Sequence, residues 1–363
     1  MGDLVKVKTK ELEEFTKNVF LRLGMNEEDA WVSADVLVRA DRRGIESHGV
    51  ARLQRYVDDI KRGVIKIDAE IKTIVETPVS LVIDGGGGVG QVIGSKTMKR
   101  CIEKAKTNFI CLAAIRNSNH YGIAGYYTLM ALKENMIGLS FTNSAPLVVP
   151  TFGKDAVLGT NPISVGVPAG EERPFLLDMA TSTVPRGKVE VYARKGDSMP
   201  KTWATDEKGM ATTEAQRVLD NLAARKGGGL LPVGGEGMLN AGHKGYGLAA
   251  LVDILCGVFS NGAVGPDVYG KKGQPSEVAH FLGAVNPAAF VGLGAIQEKM
   301  DYFIRMMKHS QKAEDQCCIY VAGEVEYLAE EANAESLGLL KKVFDNLNTI
   351  GKEFNLTLKG ELG

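Results

Sequence analysis

From residue 73 onward, short runs of β-branched and aliphatic residues alternate with stretches of helical period, and this alternation constrains the fold more than any other feature. Residues 79–84 read as a strand running into a glycine cluster, with a helix around Met98, Cys101, Ile102 and Ala105. A strand at 110–115, a helix at 124–133 and a strand at 137–142 follow, then short β runs at 163–167 and 175–178. The segment 188–193 fits helix or strand. Residues 196–242 and 261–277 read as loop, 246–259 as a buried helix, 279–285 as a strand and 295–308 as an amphipathic helix. A short strand over 319–321 and helices over 325–333 and 335–350 close the chain. Before residue 73 the pattern is helical. Leu12, Phe15, Val19, Phe20 and Leu23 recur at helical spacing and stop at Gly24. Asn26 is placed to cap a helix over 26–39 with Trp31, Val32 and Val36 inward, and a third helix over 49–61 ends at Gly63. Helices interleaved with strands in this way indicate an α/β or α+β architecture.

Composition narrows the function. With 43 Lys and Arg against 44 Asp and Glu the formal net charge is -1, so no basic field exists to attract nucleic acid. The first residues contain no apolar signal region, and the longest greasy stretch, 248–259, contains Asp253 and is too short to span a bilayer. The five cysteines, 101, 111, 256, 317 and 318, are odd in number and lack C-x-x-C spacing, which argues against a disulfide framework and a zinc site. A cytoplasmic address with no membrane partner and no metal is the expectation, with the vicinal Cys317 and Cys318 buried rather than redox-active. The chain has 43 glycines in 363 residues, well above the usual 7% or so, which points to tight loops carrying backbone to ligands.

Four constellations carry chemistry. Gly85 to Gly90 matches G-x-G-x-x-G after a strand and before a helix, but the next strand ends in Ala114-Ile115-Arg116 with no acid for a ribose, so a plain glycine turn is the favoured reading. In Arg43-Gly44-Ile45-Glu46-Ser47-His48-Gly49-Val50-Ala51-Arg52, continued to Tyr56, helical spacing sets His48, Arg52 and Tyr56 on one face opposite Val50, Leu53, Val57 and Ile60. A guanidinium fork suits a carboxylate and an imidazole titrates near neutrality, so the face suits binding and protonating an acid; a solvated face is the alternative. Arg116-Asn117-Ser118-Asn119-His120-Tyr121-Gly122 lies between a strand and a helix, as a ligand loop or an ordinary turn. Gly242-His243-Lys244-Gly245-Tyr246-Gly247 opens a helix, either as an anion nest or as small residues for close packing.

Together with Thr142-Asn143-Ser144-Ala145-Pro146, Gly159-Thr160-Asn161-Pro162-Ile163, Asp178-Met179-Ala180-Thr181-Ser182, Arg186-Gly187-Lys188 and Ala322-Gly323-Glu324, these strings resemble the type-2 malate/L-lactate dehydrogenase family over nearly the whole chain. The resemblance implies a non-Rossmann α/β (α+β) fold, a large and predominantly antiparallel seven-stranded sheet with flanking helices. It divides the chain into an N-terminal helical substrate-binding part (1–72), a sheet-based cofactor part (73–323) and C-terminal helices packing back on the N-terminal part (324–363). It implies a homodimer and an oxidoreductase transferring hydride reversibly between NAD or NADP and a small 2-hydroxy/2-oxo acid. Malate/oxaloacetate is the first expectation and lactate, sulfolactate or a sugar-derived 2-oxo acid the alternative; a metal-dependent lyase and a non-catalytic small-acid binding protein are the rivals outside the class. His48 and His120 would be acid/base candidates, with Ser47 and Asp178 tuning and orienting His48. Arg52, Tyr56, Thr160 and Asn161 would meet the substrate. Ser144, Asp178, Met179, Ala180, Thr181, Ser182, Lys188, His243, Lys244, Gly323 and Glu324 would line the cofactor. The chain departs from the family pattern at Ala322, where proline is common, and in a longer stretch at 225–241.

Overall fold

In the computed structural model, which describes residues 3–269 and 276–362, the chain opens with β1 (Leu4–Lys8) and the helices α1 (Thr9–Arg22), α2 (Glu27–Arg42) and α3 (Leu53–Lys61). Then come β2 (Lys72–Glu76), β3 (Ser80–Asp84), α4 (Gly90–Asn108), β4 (Ile110–Ser118), α5 (Gly125–Lys133), β5 (Ile137–Thr142), β6 (Ile163–Val167) and β7 (Phe175–Met179). The next elements are α6 (Arg186–Lys195), β8 (Ala204–Thr205), α7 (Ala215–Ala224), β9 (Gly229–Leu230), α8 (Gly242–Asp253) and β10 (Val278–Val285). The chain ends with α9 (Leu293–Lys308), α10 (Glu324–Ala332), β11 (Ser336–Leu340), α11 (Lys341–Glu353) and β12 (Glu361–Leu362).

Seven strands form one sheet in the order β2-β3-β4-β10-β5-β6-β7, and only β3 and β4 run parallel. The predominantly antiparallel sheet read from the resemblance is therefore present. Side chains alternate across it. Ile83, Ala113, Ile115 and Leu282 meet Val36, Ile93, Met98 and Tyr127 on one face, while Ala114 and Phe281 meet Val252 and Cys256 on the other. Burial on both faces explains why β10 reads as an almost unbroken apolar run. Helix α5 lies close on β5 and β6 because of two glycines: a Cβ at Gly138 would stand 2.7 Å from the Thr128 carbonyl oxygen, and one at Gly166 2.6 Å from the Thr128 methyl.

A second, three-stranded sheet has the order β11-β1-β12 and ties the two ends of the chain together. This corrects the helix expected over 335–350. Leu337 and Leu339 alternate inward beside Val5 and Val7, so a period of two takes Ser336–Leu340 into a sheet, and the helix begins only at Lys341. Other expectations change in the same way. Asn26 does cap α2 by accepting from Asp29 N–H, but Trp31 is 53% exposed while Val32 and Val36 are buried. The helix expected over 49–61 is two short 3-10 turns, Glu46–His48 and Val50–Arg52, followed by α3. Residues 188–193 are helical within α6, and α7 lies inside the expected loop 196–242. Helix α8 passes into a π turn, Ile254–Val258, and Leu251, Val258 and Phe259 are exposed, so 246–259 is not a buried helix. Residues 319–321 lie outside any strand, although Leu176 N–H donates to the Ala322 carbonyl at 3.0 Å. The expected loop 261–277 contains a 3-10 turn, Gly265–Tyr269; its residues 270–275 lie outside the described residues. Among the described residues no helix is long and apolar enough to cross a membrane.

Candidate active site

Two loops bring the candidate histidines together, and each is held by backbone that admits no larger residue. In the last turn of α2, Asp41 Oδ2 accepts from Val50 N–H at 2.7 Å. A Cβ at Gly49 would lie 1.9 Å from Asp41 Oδ1, so only glycine lets the chain fold this tightly behind His48. The second loop follows β4. Asn119 Nδ2 donates to the carbonyls of Gly87 (3.0 Å) and Gly88 (2.8 Å), and the Ser276 hydroxyl donates to its Oδ1. Gly90 packs on the Asn119 carbonyl, where a Cβ would stand at 2.2 Å. The glycine run at 85–90 is thus the clasp of the His120 loop, and Arg116 pairs with Asp84 at 3.0 Å.

His48 and His120 stack with ring centroids 5.4 Å apart and planes 20° from parallel. Ser47 Oγ lies 2.9 Å from His48 Nδ1, and Arg52 Nε donates to the Ser47 carbonyl at 2.7 Å. The Tyr56 hydroxyl lies 2.5 Å from His120 Nδ1. His48, Arg52 and Tyr56 converge, but not as one helix face. The first two sit on successive 3-10 turns, and Tyr56, 2% exposed, reaches His120 from within the core.

Burial, then the Arg52 cation, lowers the His48 imidazole to about 4. Burial drives His120 well below its ordinary value, with His48, Arg55 and Arg52 adding to the effect. Burial raises the Tyr56 phenol, so it stays a neutral hydroxyl and donates to His120. The free site thus holds two neutral imidazoles beside two guanidinium groups.

Three polar groups that sequence reasoning passed over frame this site. His280, fully buried in β10, is stacked on Tyr121 with centroids 4.3 Å apart, and its ring nitrogens bond Thr142 Oγ1 (2.7 Å) and Ser118 Oγ (2.8 Å). A lone polar residue inside an apolar strand was the available signal. Asp253 binds the Asn143 and Asn161 side chains at 3.1 Å each. Asp41 is the third: burial, against the opposing Val50 hydrogen bond, raises its carboxyl to about 7. A carboxyl that holds its proton more tightly when folded contributes stability below about pH 4 that is lost as pH rises through 7. Asp41→Asn keeps an acceptor for Val50 and cannot ionise. Urea denaturation is expected to find it more stable than the parent at pH 8, on the order of 2 kcal/mol, with no gain at pH 4. An equal gain at both pH values would refute the titration argument.

A family model described as malate/L-lactate dehydrogenase matches residues 7–348. The chain belongs to this family. It is 48% identical over 349 residues to a malate dehydrogenase of Pyrococcus abyssi, covering 96% of this chain and 94% of that one. An L-sulfolactate dehydrogenase of Methanocaldococcus jannaschii is 36% identical, covering 94% of this chain and 95% of its own. The solved structure of malate dehydrogenase from Pyrococcus horikoshii OT3 superposes with a TM-score of 0.88 at 43% identity, covering 98% and 97% of the two chains. The malate/L-lactate dehydrogenase family is one of oxidoreductases acting on a CH–OH group with a nicotinamide cofactor.

The expected cofactor residues fall into two groups. Ser144, Thr160 and Thr181 form one ladder: Thr160 N–H donates to Ser144 Oγ (3.0 Å), Thr181 N–H to the Thr160 carbonyl (2.9 Å), and Val233 N–H to the Thr181 carbonyl (2.8 Å). Gly245 closes it against Val233, where a Cβ would stand 2.1 Å from the carbonyl oxygen, so close packing accounts for that glycine. At the start of α8, just before Gly245, His243 Nδ1 is buried with no partner among the described residues, and Lys244 is exposed. Lys188 lies over the Trp203 ring at 5.8 Å. The second group lines a cavity of about 270 Å³ between Arg43, Leu176, Asp178 and Gly323. An unpartnered imidazole nitrogen, an exposed lysine and an open cavity fit a group carrying phosphates and an amide.

Several assignments change. Asp178 does not orient His48: its Oδ2 accepts from Gly125 N–H at 2.7 Å, and burial raises its carboxyl to about 6. Asn161 is fully buried, and its amide is occupied by Ser144 N–H, the Ala249 carbonyl and Asp253, so it is framework rather than a substrate contact. Glu324 pairs with Lys308 at 2.6 Å and accepts from Val321 N–H. Ser182 is buried and donates to the Val184 carbonyl.

Proposed function

We propose that this chain reduces a small 2-oxo acid, oxaloacetate first among them, reversibly to the 2-hydroxy acid, with NAD or NADP as cofactor. The observation that carries this reading is the stacked pair of neutral imidazoles beside Arg52. The bound cofactor supplies or accepts the hydride at C2 of the substrate. Arg52 pairs with the substrate carboxylate. In the oxidation the neutral His48 takes the hydroxyl proton; in the reduction it first gains a proton from solvent and then gives it to the forming alkoxide. Ser47 fixes the His48 ring through Nδ1, leaving Nε2 for substrate. His120, its Nδ1 held by Tyr56, presents Nε2–H to the same oxygen. Thr160 stands at the substrate end of the ladder; Ser144, Asp178 to Thr181, Lys188, His243, Lys244 and Gly323 line the cofactor. In this reading residues 1–72 carry substrate, 73–323 the cofactor, and 324–363 pack back on the first part. The chain works in the cytoplasm as a homodimer, and the exposed Leu251 on α8 with Ile254, Val258 and Phe259 just beyond it provides apolar surface for pairing.

The high identity to malate dehydrogenases favours a dicarboxylic substrate, whose second carboxylate needs a second cation. Arg55 meets that need: its field reaches His120, and it is positioned by Tyr269 Oη at 2.6 Å and Asp59 at 3.5 Å. Arg55→Gln is expected to raise KM for oxaloacetate about tenfold or more and leave pyruvate nearly unchanged, whereas Arg52→Lys weakens both. Equal losses on both substrates in Arg55→Gln would remove Arg55 from substrate recognition. The 36% identity to a sulfolactate dehydrogenase supports a second reading, a sulfonated 2-oxo acid in the same site. Following NADH and NADPH absorbance over a panel of 2-oxo acids, with and without chelator, decides among these. No oxidation of either cofactor defeats the proposal, and loss of activity to chelator favours a metal enzyme.

A further inference from the structure

Cys317 and Cys318 depart from the burial expected of them. Both are exposed, with Sγ atoms 3.2 Å apart, whereas the other three cysteines are buried. They lie on the segment between α9 and α10, where Lys312 Nζ donates to the Cys317 carbonyl at 2.8 Å. Two residues further on, Tyr320 and Val321 begin the wall of the 270 Å³ cavity that also contains Asp178 and Gly323. The join to that cavity is tight. The Ala322 carbonyl accepts from Leu176 N–H, and a Cβ at Gly323 would stand 2.8 Å from Leu176 Cβ.

We propose that Cys317 and Cys318 form a modification site: a vicinal dithiol that hydrogen peroxide oxidises to a disulfide, whose closure reshapes the cavity wall at Tyr320 and Val321. Cys318 is the attacking thiol. Hydrogen bonds from the Tyr320 hydroxyl and the Cys317 thiol favour its thiolate, and its exposure admits the oxidant. The thiolate sulfur attacks one peroxide oxygen, the O–O bond breaks, and Cys318 becomes a sulfenic acid while the other oxygen leaves as hydroxide and is protonated to water. The Cys317 thiolate then attacks the Cys318 sulfur, the S–O bond breaks, and a second hydroxide leaves and is protonated. Two thiols and one hydrogen peroxide yield one disulfide and two waters.

The sulfurs have to approach by roughly 1 Å to reach a bond of about 2.05 Å. Adjacent Cα atoms lie about 3.8 Å apart, below the usual disulfide span of about 4.4–6.8 Å, so the ring can close only if the local backbone turns. Strain of this kind makes the bond easily reduced again, and the short tether to Val321 carries the turn into the cavity wall. The effect on cofactor rests on the reading of that cavity as part of the cofactor site; the thiol chemistry does not.

The test treats the full-length protein with hydrogen peroxide and follows it by mass and by kinetics. Peptide mapping is expected to find one disulfide joining 317 to 318, with a mass loss of about 2 Da that dithiothreitol reverses. Cys317→Ser should stop at a Cys318 sulfenic acid trapped by dimedone, and Cys318→Ser should form neither product. KM for the nicotinamide cofactor should rise several-fold in the oxidised parent, recover on reduction, and be insensitive to peroxide in the double serine variant. Absence of the 317–318 disulfide at full oxidant dose overturns the site. A complete disulfide with unchanged KM overturns the coupling. If the reduced protein uses neither NADH nor NADPH, the functional reading fails, while the mass data still decide the dithiol.

Discussion

His48→Asn is expected to lower kcat by about 10²- to 10⁴-fold in both directions while cofactor binding, measured by fluorescence titration, stays near normal. The asparagine amide can still accept from Ser47 but can neither store nor deliver a proton. His120→Asn should cost less, because a neutral imidazole with Tyr56 on its Nδ1 acts as a hydrogen-bond donor, which an amide partly replaces. The pH profiles follow from the charges. With the free imidazole at about 4, kcat/KM for oxidation of the hydroxy acid should be flat above about pH 5 and fall below it. Arg52 lowers His48, so a substrate carboxylate that neutralises Arg52 should move the profile of kcat upward relative to that of kcat/KM. Abolition of turnover by His120→Asn, with His48→Asn raising only KM, would exchange the two roles. Identical pH profiles for kcat and kcat/KM would remove Arg52 from the carboxylate.

The reach of the sequence differed from element to element, for physical reasons. Strands and helices of the large sheet were readable because their apolar positions repeat with a period the core imposes. Ser336–Leu340 departs from the expected helix because Leu337, Leu339 and Leu340 satisfy a helical as well as a strand pattern, and only pairing with Leu4–Lys8 at the far end of the chain decides it. In the site, the grouping of His48, Arg52, Tyr56 and His120 was legible from residue type and resemblance. Its geometry was not, since Asp41 and Gly49 break the segment into 3-10 turns through a contact nine residues long. Asn161 and Asp178 mark the limit of motif reasoning. Both stand in strings that look like ligand loops, yet Asn161 spends its amide on framework and Asp178 accepts from a backbone amide, because a loop-built site needs polar groups to hold its own loops.

That framework makes Asp253 the position where one substitution should cost most in stability. Its carboxylate, at the end of α8, accepts from the Asn143 and Asn161 amides at 3.1 Å, and Gly265 N–H lies 3.4 Å from Oδ1. Asn143 in turn donates to the Ala263 carbonyl and accepts from Ala279 N–H at the start of β10, and Asn161 holds Ser144. One buried group therefore joins the ends of β5 and β10, the loop after Gly159 and the entry to the Thr160–Thr181 ladder. Asp253→Ala leaves one N–H of each of two buried amides without its acceptor, while their second bonds to the Ala263 and Ala249 carbonyls remain, and about 3–5 kcal/mol of destabilisation is expected from thermal or urea unfolding. Asp253→Asn should recover part of this, since one of its side-chain positions remains an acceptor. The loss should also appear as weakened cofactor binding before global unfolding, because the ladder of Ser144, Thr160 and Thr181 loosens first. An Asp253→Ala protein with parental stability would mean that the two asparagines find other partners, and the ladder would then owe its rigidity to its backbone bonds alone.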